Sequence, residues 1–379
     1  MASQANSRRD FLRMMGAGVA AMAVHGAARA ADKADAPAID PQFFVREDEL
    51  TLKFRQQGAE RRLSFAGRRG SADAWRRDCK AKLAELLGFS PPSPCKARLL
   101  RSTACGDVII EAWVMDVDSS LSIPAYFLSP RSGSQKAVMA IHGHGQAEPC
   151  VGAWDDYHHM FALNLAQAGY AILCPALRGF GVLRDIARQQ ENYCLDYWSS
   201  DRGRQFSLVT DAFLHGKTLV GAHVEDLLRW EQWLASAKGV TALDVAGISY
   251  GGDLAVVYPV FSERVRKIYA SGSLGSFSVI FSRCYNAPAH CIPGVLQWMD
   301  RSDIAGLNAP RPIRLHYGEA DVLSPDNNSA SYNETVQPAL AELKAIYKAF
   351  NAEDQVSLRV TPGAAHEMEN DDLRKFLAG

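Results

Sequence analysis

The sequence predicts an α/β fold with a mainly parallel sheet and helices on both faces. From residue 136 onward, short apolar runs of strand length alternate with longer segments in which apolar residues recur at helical spacing. Parallel strands need a crossover connection, usually a helix, so this alternation is typical of a parallel sheet covered on both sides. With 379 residues, 47% of them hydrophobic, the chain can bury a large core.

An N-terminal extension precedes this pattern. Residues 31–104 form the predicted extension, whose clear element is an amphipathic helix over Ala72–Leu87 that ends before a proline-rich turn. Residues 105–379 form the predicted main domain, in which the polar and aromatic segment 182–215 is a lid-like insertion. The predicted strands and helices of the main domain are, in order, strands Val108–Val117, Ile123–Leu128 and Ala137–Ile141, helix Tyr157–Ala168, strand Tyr170–Cys174, helix Leu219–Trp233, strands Leu243–Ile248, Lys267–Ala270 and Ile313–Tyr317, helix Thr335–Phe350 and strand Val356–Val360.

The first thirty residues have the parts of an export signal. Ser7–Arg13 (S-R-R-D-F-L-R) resembles a twin-arginine motif, a mildly apolar stretch follows over Met14–Val24, and Ala28–Ala30 supplies small residues for cleavage after Ala30. The apolar stretch is too short to span a bilayer. The sequence therefore predicts a bacterial protein that the twin-arginine export machinery delivers, already folded, to the periplasm or beyond. The alternative is a disordered leader with a chance Arg-Arg pair.

Charge and cysteine content narrow the classes of partner. The formal net charge of -1 provides no general attraction for nucleic acid or an anionic membrane, so neither is an expected partner. The eight cysteines contain no C-x-x-C pair and no zinc-like spacing. Cys284 and Cys291 are close enough in sequence to form a disulfide, which stands as a hypothesis.

The stretch Gly247–Gly251 spells G-x-S-x-G directly after an apolar strand and before a segment that can start a helix. A serine on a sharp strand-to-helix turn has its hydroxyl exposed at the end of the sheet, and small neighbours allow the turn. Ser249 is therefore the predicted nucleophile. Its hydroxyl is a poor nucleophile at neutral pH, so it needs a base and an acid that orients that base.

Both partners follow Ser249 in the chain. Asp321 comes just after one predicted strand, and His366 comes just after the last one. Because the carboxyl ends of parallel strands meet at one sheet edge, these side chains are expected to lie together. Glu319 and Asp326 compete with Asp321 as the acid, and Glu319 is the reserve candidate.

Further motifs give this pattern a family likeness. His142–Gly145 (H-G-H-G) resembles the H-G-x-G oxyanion loop, and Arg178–Gly181 (R-G-F-G) resembles an R-G-x-G turn. Leu307–Pro312 resembles the segment that precedes the strand leading to the catalytic acid. Together they resemble the α/β-hydrolase superfamily, in its acetyl xylan esterase and dienelactone hydrolase-like branch, over residues 105–379. Ala176 departs from the pattern, since many relatives have Asp there. That position supports the turn rather than the chemistry.

The resemblance implies an α/β-hydrolase fold and a set of site residues. Ser249 would be the nucleophile, Asp321 the acid and His366 the base. The backbone N–H groups of Tyr250 and His144 would form the oxyanion hole. The implied reaction is cleavage of a carboxylic ester through an acyl-enzyme, without a cofactor.

Several other residues allow either a functional or a structural interpretation. His142 and His144 could suggest a metal pair, but no carboxylate or cysteine cluster accompanies them, so no metal is expected. His158 and His159 are expected to be surface and packing residues. The aromatic residues of the insertion are either a lid that touches substrate or the insertion's own core. They are Tyr193, Tyr197, Trp198 and Phe206.

Export and the resemblance favour an acetyl ester on a carbohydrate or plant-derived compound as substrate. Three alternatives remain open. A serine peptidase of the prolyl oligopeptidase type usually carries a propeller domain, which about 70 residues cannot build. An acyltransferase needs an acceptor site that the sequence does not reveal. A non-catalytic binding protein on the same fold commonly loses the serine or the histidine.

Overall fold

The computed structural model describes residues 60–183, 201–277, 288–321 and 333–379, with backbone alone for 201–207 and 333–335. By internal contacts the chain divides into residues 1–50 and 51–379. Several predicted features lie outside the described residues. They are the export signal, Tyr193, Tyr197, Trp198, Asp326, Cys284 and the side chain of Phe206.

The described strands form one nine-stranded sheet with the order β1-β2-β3-β5-β4-β6-β7-β8-β9. Strands β1 to β3 are antiparallel, β3 also pairs antiparallel with β5, and the pairs from β5 to β9 are all parallel. The strands are β1 Ala97–Cys105, β2 Val108–Asp116, β3 Ser122–Pro130, β4 Ala137–Ile141, β5 Ala171–Pro175, β6 Leu243–Ile248, β7 Val265–Ser271, β8 Ile313–Gly318 and β9 Val356–Thr361.

Helices cover both faces of this sheet. The described helices are α1 Ala72–Leu87, α2 Phe161–Gln167, α3 Asp201–Leu214, α4 Leu219–Lys238, α5 Tyr250–Val257, α6 Arg301–Gly306, α7 Asn333–Ala349 and α8 Asn370–Ala378. Strand β4 shows the two layers directly, because Met139 packs in the larger core with α1, α4 and α7, whereas Val138 packs in the smaller core with α2 and α8. The predicted fold class, a mainly parallel sheet between helices, is confirmed.

Helix α1 has the predicted bounds because its ends are strongly specified. The Ser71 hydroxyl accepts a hydrogen bond from the Ala74 N–H at 3.2 Å, and Gly88 ends the helix in the left-handed conformation. One face, carrying Trp75 and Leu83 among others, is buried in the larger core. The Leu87 carbonyl accepts from the Thr218 hydroxyl at 3.0 Å, which ties α1 to the start of α4.

The bounds of most predicted elements shift by one to five residues, and two differences have a clear physical cause. Helix α2 starts at Phe161 rather than Tyr157, because His159 and Met160 both have a φ of 48° and cannot belong to a right-handed helix. Strand β1 lies inside the predicted extension and was missed. Its residues are almost all exposed, so the sequence has no alternation that would indicate a strand.

Two further observations bear on the sequence predictions. Among the described helices, none combines the length and the hydropathy needed to cross a membrane. Cys291 is a free thiol, against its hypothetical pairing with Cys284.

The contact between Gly88 and the turn before α4 yields a stability prediction. A Cβ at Gly88 would lie 2.1 Å from the Gly216 carbonyl oxygen, and the backbone there has a φ of +61°. Gly88→Ala should therefore lower the free energy of unfolding by more than the ~1–2 kcal/mol that left-handed strain alone costs. Gly106→Ala is the matched control, since Gly106 has a φ of +57° and nothing within 4 Å of the added carbon. Equal urea midpoints for the two variants would contradict the predicted clash.

Candidate active site

Ser249 lies at the carboxyl end of β6, on the turn into α5. Its φ of 59° and ψ of -123° are strained for a residue with a side chain. The turn closes only because its neighbours are glycines: a Cβ on Gly247 would lie 2.1 Å from the Gly251 carbonyl oxygen. A Cβ on Gly251 would lie 2.2 Å from the Ile141 carbonyl oxygen. The elbow is therefore pressed directly against the end of β4.

The structure brings His366 and Asp321 together after β9 and β8. The His366 Nδ1 lies 3.0 Å from the Asp321 Oδ2. An ionised carboxylate only accepts hydrogen bonds, so Nδ1 carries the proton and Nε2 is left with its lone pair. About 35% of the His366 side chain is exposed, so this imidazole can exchange protons with solvent and substrate.

Gly272 connects this pair to the elbow. The Ser249 N–H donates to the Ser271 carbonyl at 2.8 Å. A Cβ on the next residue, Gly272, would lie 2.5 Å from the His366 Cε1 and 3.5 Å from the Asp321 Oδ2. The backbone after β7 thus passes beneath the imidazole and leaves no room for a side chain. His366 and Asp321 lie at this glycine, and the Ser249 backbone is bonded to the residue before it.

Glu319, the reserve acid, has a different role. Its Oε2 accepts from the Gly363 N–H at 2.9 Å, which holds the turn after β9. The carboxylate on the His366 imidazole is that of Asp321. Between these two described candidates, geometry favours Asp321 as the acid.

The two expected oxyanion donors lie next to Ser249. A Cβ on Gly143 would lie 3.0 Å from the Ser249 Cβ, so the loop that contains His144 touches Ser249. Tyr250 is the first residue of α5, where backbone N–H groups have no acceptor within the helix and carry partial positive charge. Both N–H groups belong to backbone that borders the serine.

A buried polar network that sequence reasoning missed anchors the Tyr250 side chain. The Tyr250 hydroxyl lies 2.7 Å from the His223 Nδ1, and the His223 Nε2 lies 3.2 Å from the Arg178 carbonyl oxygen. Since a carbonyl only accepts, Nε2 carries the proton and Nδ1 accepts from the tyrosine. Burial, reinforced by the Arg178 charge, lowers the pKa of His223 to about 3. Arg178 itself donates to both oxygens of Asp226, at 2.6 and 2.7 Å.

A second missed cluster adjoins the first, since the His290 ring contacts the Tyr250 ring with centroids 4.6 Å apart. The Asp253 carboxylate accepts hydrogen bonds from Ser273, His290 and Arg301. Burial alone would raise the pKa of Asp253, but the Arg301 guanidinium and the His290 imidazole hold it at about 2. The His290 ring stacks on His144 with centroids 5.2 Å apart. The cluster therefore packs against the oxyanion loop through an aromatic contact.

One Ser-His-carboxylate chain in the fold is not an active site. The Ser271 hydroxyl lies 2.8 Å from the His316 Nδ1, and the His316 Nε2 lies 3.5 Å from Glu369. Ser271 and His316 are both fully buried beneath the elbow, so no substrate can reach the hydroxyl. These residues support the sheet edge on which the exposed His366 stands.

The histidines considered as a metal pair, His142 and His144, lie on the loop after β4. Among the described residues, no three His, Cys, Asp or Glu side chains converge in a way that could hold a metal ion. Burial, together with the imidazoles of His290 and His366, lowers the pKa of His144 well below its ordinary value. His144 is a neutral ring packed among aromatic neighbours.

Comparisons with known proteins show what this chain is similar to. No protein-family model matches the chain. A Bacillus subtilis (strain 168) protein named "Putative hydrolase YtaP" is 26% identical over 316 residues, which are 79% of this chain and 96% of that protein.

Several solved structures resemble the fold of this chain. A candidate acetyl xylan esterase from Bacteroides fragilis NCTC 9343 superposes with a TM-score of 0.63 at 16% identity, over 83% of this chain and 84% of that one. A glucuronoyl esterase from Solibacter usitatus gives 0.58 at 13% identity, over 84% and 96%. At such identities the likeness concerns the fold. The sheet order, the strand-to-helix elbow and these neighbours define an α/β-hydrolase fold.

The buried imidazoles predict how stability depends on pH. Burial lowers the pKa of five histidines below the ordinary value of 6.5, so the folded state binds fewer protons than the unfolded chain as pH falls below 6.5. They are His142, His144, His158, His223 and His316. The free energy of unfolding that depends on these neutral imidazoles is present above about pH 6.5. It is lost as pH falls towards the pKa values that the histidines have in the folded state. Asp244 and Asp303, whose burial raises each pKa to about 6, act with the opposite sign but are fewer.

The free energy of unfolding should therefore fall between pH 7 and pH 4. His223→Gln keeps an amide partner for Tyr250 but removes one titrating group. In urea titrations at pH 7, 6, 5 and 4, this variant should lose less stability than the wild type, by about 1.4 kcal/mol per pH unit below pH 6 and about half of that between pH 7 and pH 6. Parallel curves for the two proteins would refute the assignment of His223 as a buried neutral imidazole.

Proposed function

We propose that the protein is a serine hydrolase that cleaves carboxylic esters through an acyl-enzyme. The observation that supports this most is the grouping after β7: the backbone of a strained serine turn is bonded to Ser271, and a paired imidazole and carboxylate lie at the next residue, Gly272. The likeness to hydrolases and esterases supports an ester hydrolase as the general class. The roles of the individual residues are part of the proposal.

In this mechanism His366 accepts the proton of Ser249 as the oxygen attacks the ester carbonyl. Asp321 holds the imidazole by Nδ1 and stabilises the imidazolium that forms. The N–H groups of Tyr250 and His144 receive the oxyanion; losing one such donor typically costs about 3–4 kcal/mol. His366 then protonates the leaving alcohol and activates water for deacylation. Every step uses groups of this chain and water.

For the substrate we propose an acetyl or related ester of a carbohydrate or plant-derived compound. Two of the similar structures are named acetyl xylan esterase and glucuronoyl esterase. The twin-arginine-like segment at Ser7–Arg13 supports export, and therefore action on an ester outside the cytoplasm. Export by that route, and a periplasmic or secreted location, are parts of the same proposal.

The nucleophile can be tested by covalent labelling. A fluorophosphonate probe should label the folded wild-type chain once, and Ser249→Ala should abolish labelling, because the probe needs an activated serine. Ser271→Ala is the matched control: it removes a fully buried hydroxyl that lies 2.8 Å from the His316 Nδ1. It should still be labelled. A folded wild-type protein that stays unlabelled would instead favour a non-catalytic binding protein on this fold.

The substrate class can be tested with a panel that varies the acyl group and the alcohol. Acetylated sugars should be hydrolysed with a higher kcat/KM than a simple aryl acetate, if binding energy from the sugar is used in the transition state. The panel should include a peptide amide and an added acceptor alcohol, to detect peptidase or acyltransferase activity. No advantage for the acetylated sugars would remove the carbohydrate assignment while leaving the ester hydrolase in place.

A further inference from the structure

Three successive peptide units of the oxyanion loop are each held by a different side chain. The Gly143 N–H donates to the His158 Nε2 at 2.9 Å. The Gly143 carbonyl oxygen lies 2.7 Å from the His142 Nδ1, and the His144 carbonyl accepts from the Tyr157 hydroxyl at 2.6 Å. These bonds fix the units 142–143, 143–144 and 144–145 in turn.

The middle unit sets the direction of the expected oxyanion donor. In a planar trans peptide the C=O and the following N–H point in opposite directions. The bond from His142 to the Gly143 carbonyl therefore aims the His144 N–H away from His142. The His142 Nε2 accepts from the Leu177 N–H at 3.2 Å, so its Nδ1 is the protonated nitrogen and can donate.

His158 is itself fixed in the tautomer that this arrangement needs. Its Nδ1 lies 2.7 Å from the Asp156 carboxylate, which only accepts, so Nε2 presents its lone pair to Gly143. The His158 side chain is fully buried. Burial, although opposed by Asp156, lowers the pKa of His158, which favours the neutral imidazole that can accept.

The same short segment reaches the base. The Tyr157 ring stacks on His366 with centroids 5.6 Å apart and planes 27° apart. The Tyr157 carbonyl accepts from the Met368 N–H at 2.9 Å, just after the base. Residues 156–158 thus contact the oxyanion loop and the segment that carries His366.

We propose that His158 and Tyr157 are positioning residues of the oxyanion hole: they hold the peptide units on either side of Gly143–His144 and so keep that peptide in the orientation that stabilises the transition state. This inference rests on the proposed function, because it assigns these residues a part in ester hydrolysis. It replaces the sequence expectation that His158 is a surface or packing residue. Both residues act through backbone that they hold, and neither contacts the reacting atoms.

Two substitutions of His158 separate positioning from packing. His158→Gln keeps an acceptor oxygen near the place of Nε2, whereas His158→Phe keeps the ring that packs on Tyr157 at 4.0 Å but leaves the Gly143 N–H without an acceptor. With an ester whose turnover depends on Ser249, kcat should fall about 10- to 100-fold in His158→Phe, part of the roughly 10²–10³-fold cost of losing a whole donor. His158→Gln should stay within about fivefold of wild type, and KM should change little in both. Equal kcat for the two variants, or a higher kcat for His158→Phe, would overturn the proposal.

Tyr157→Phe gives a second measurement in case His158→Phe does not fold. It removes only the hydroxyl that donates to His144, and the ring on His366 remains. Its kcat should fall about three- to tenfold, a fraction of the effect of a lost donor. Tyr347→Phe is the matched control, because that buried hydroxyl donates to the Arg311 carbonyl at 2.9 Å, away from the site. Unchanged kcat in Tyr157→Phe, or an equal loss in Tyr347→Phe, would overturn the role of Tyr157.

Hydrogen exchange keeps this inference distinguishable from the proposed function. The Gly143 amide should be protected in wild type and His158→Gln, and should exchange faster in His158→Phe. If the wild type shows no turnover that depends on Ser249, the proposed hydrolase fails whatever the exchange pattern. Turnover that depends on Ser249 combined with an unprotected Gly143 amide would overturn the positioning inference alone.

Discussion

The close approach of two backbones at the centre of the sheet is the constraint on which the site depends. Gly251, the second residue of α5, has no space for a Cβ beside the Ile141 and His142 carbonyl oxygens. This contact places the serine turn of β6 directly against the loop after β4. Ser249 and the backbone proposed as its oxyanion hole are neighbours because glycine allows this approach.

Three buried neutral imidazoles share one structural role in this molecule. His142, His158 and His223 each combine one donating and one accepting nitrogen, and each therefore joins two polar groups that could not otherwise meet in the core. Their burial costs stability in acid but fixes backbone and side-chain positions around the elbow. His366 differs because a third of its side chain is exposed. These three buried histidines therefore hold structure, whereas the partly exposed His366 is the one proposed for proton transfer.

The sequence was sufficient for those features that have a local signature. The helical spacing of apolar residues and a proline-rich turn predicted helix α1, and the ends of the parallel strands predicted the contact between Asp321 and His366. The positions of His158, His223 and His290 could not be predicted in this way. Each has a partner in another element, as in the pairs His158 with Gly143 and His290 with Asp253, so no spacing along the chain marks it. Strand β1 was not predicted for a different reason: an exposed edge strand has no alternation of apolar and polar residues.

The order of the strands gives the two halves of the candidate site different local stability. Ser249 follows β6, which has a strand on each side, whereas His366 follows β9, which pairs with β8 alone at the edge of the described sheet. Edge strands fray at a lower free energy than central ones. Partial opening at this edge would withdraw the imidazole while the serine turn stayed intact, so enzymatic competence and global folding are separable properties of this chain.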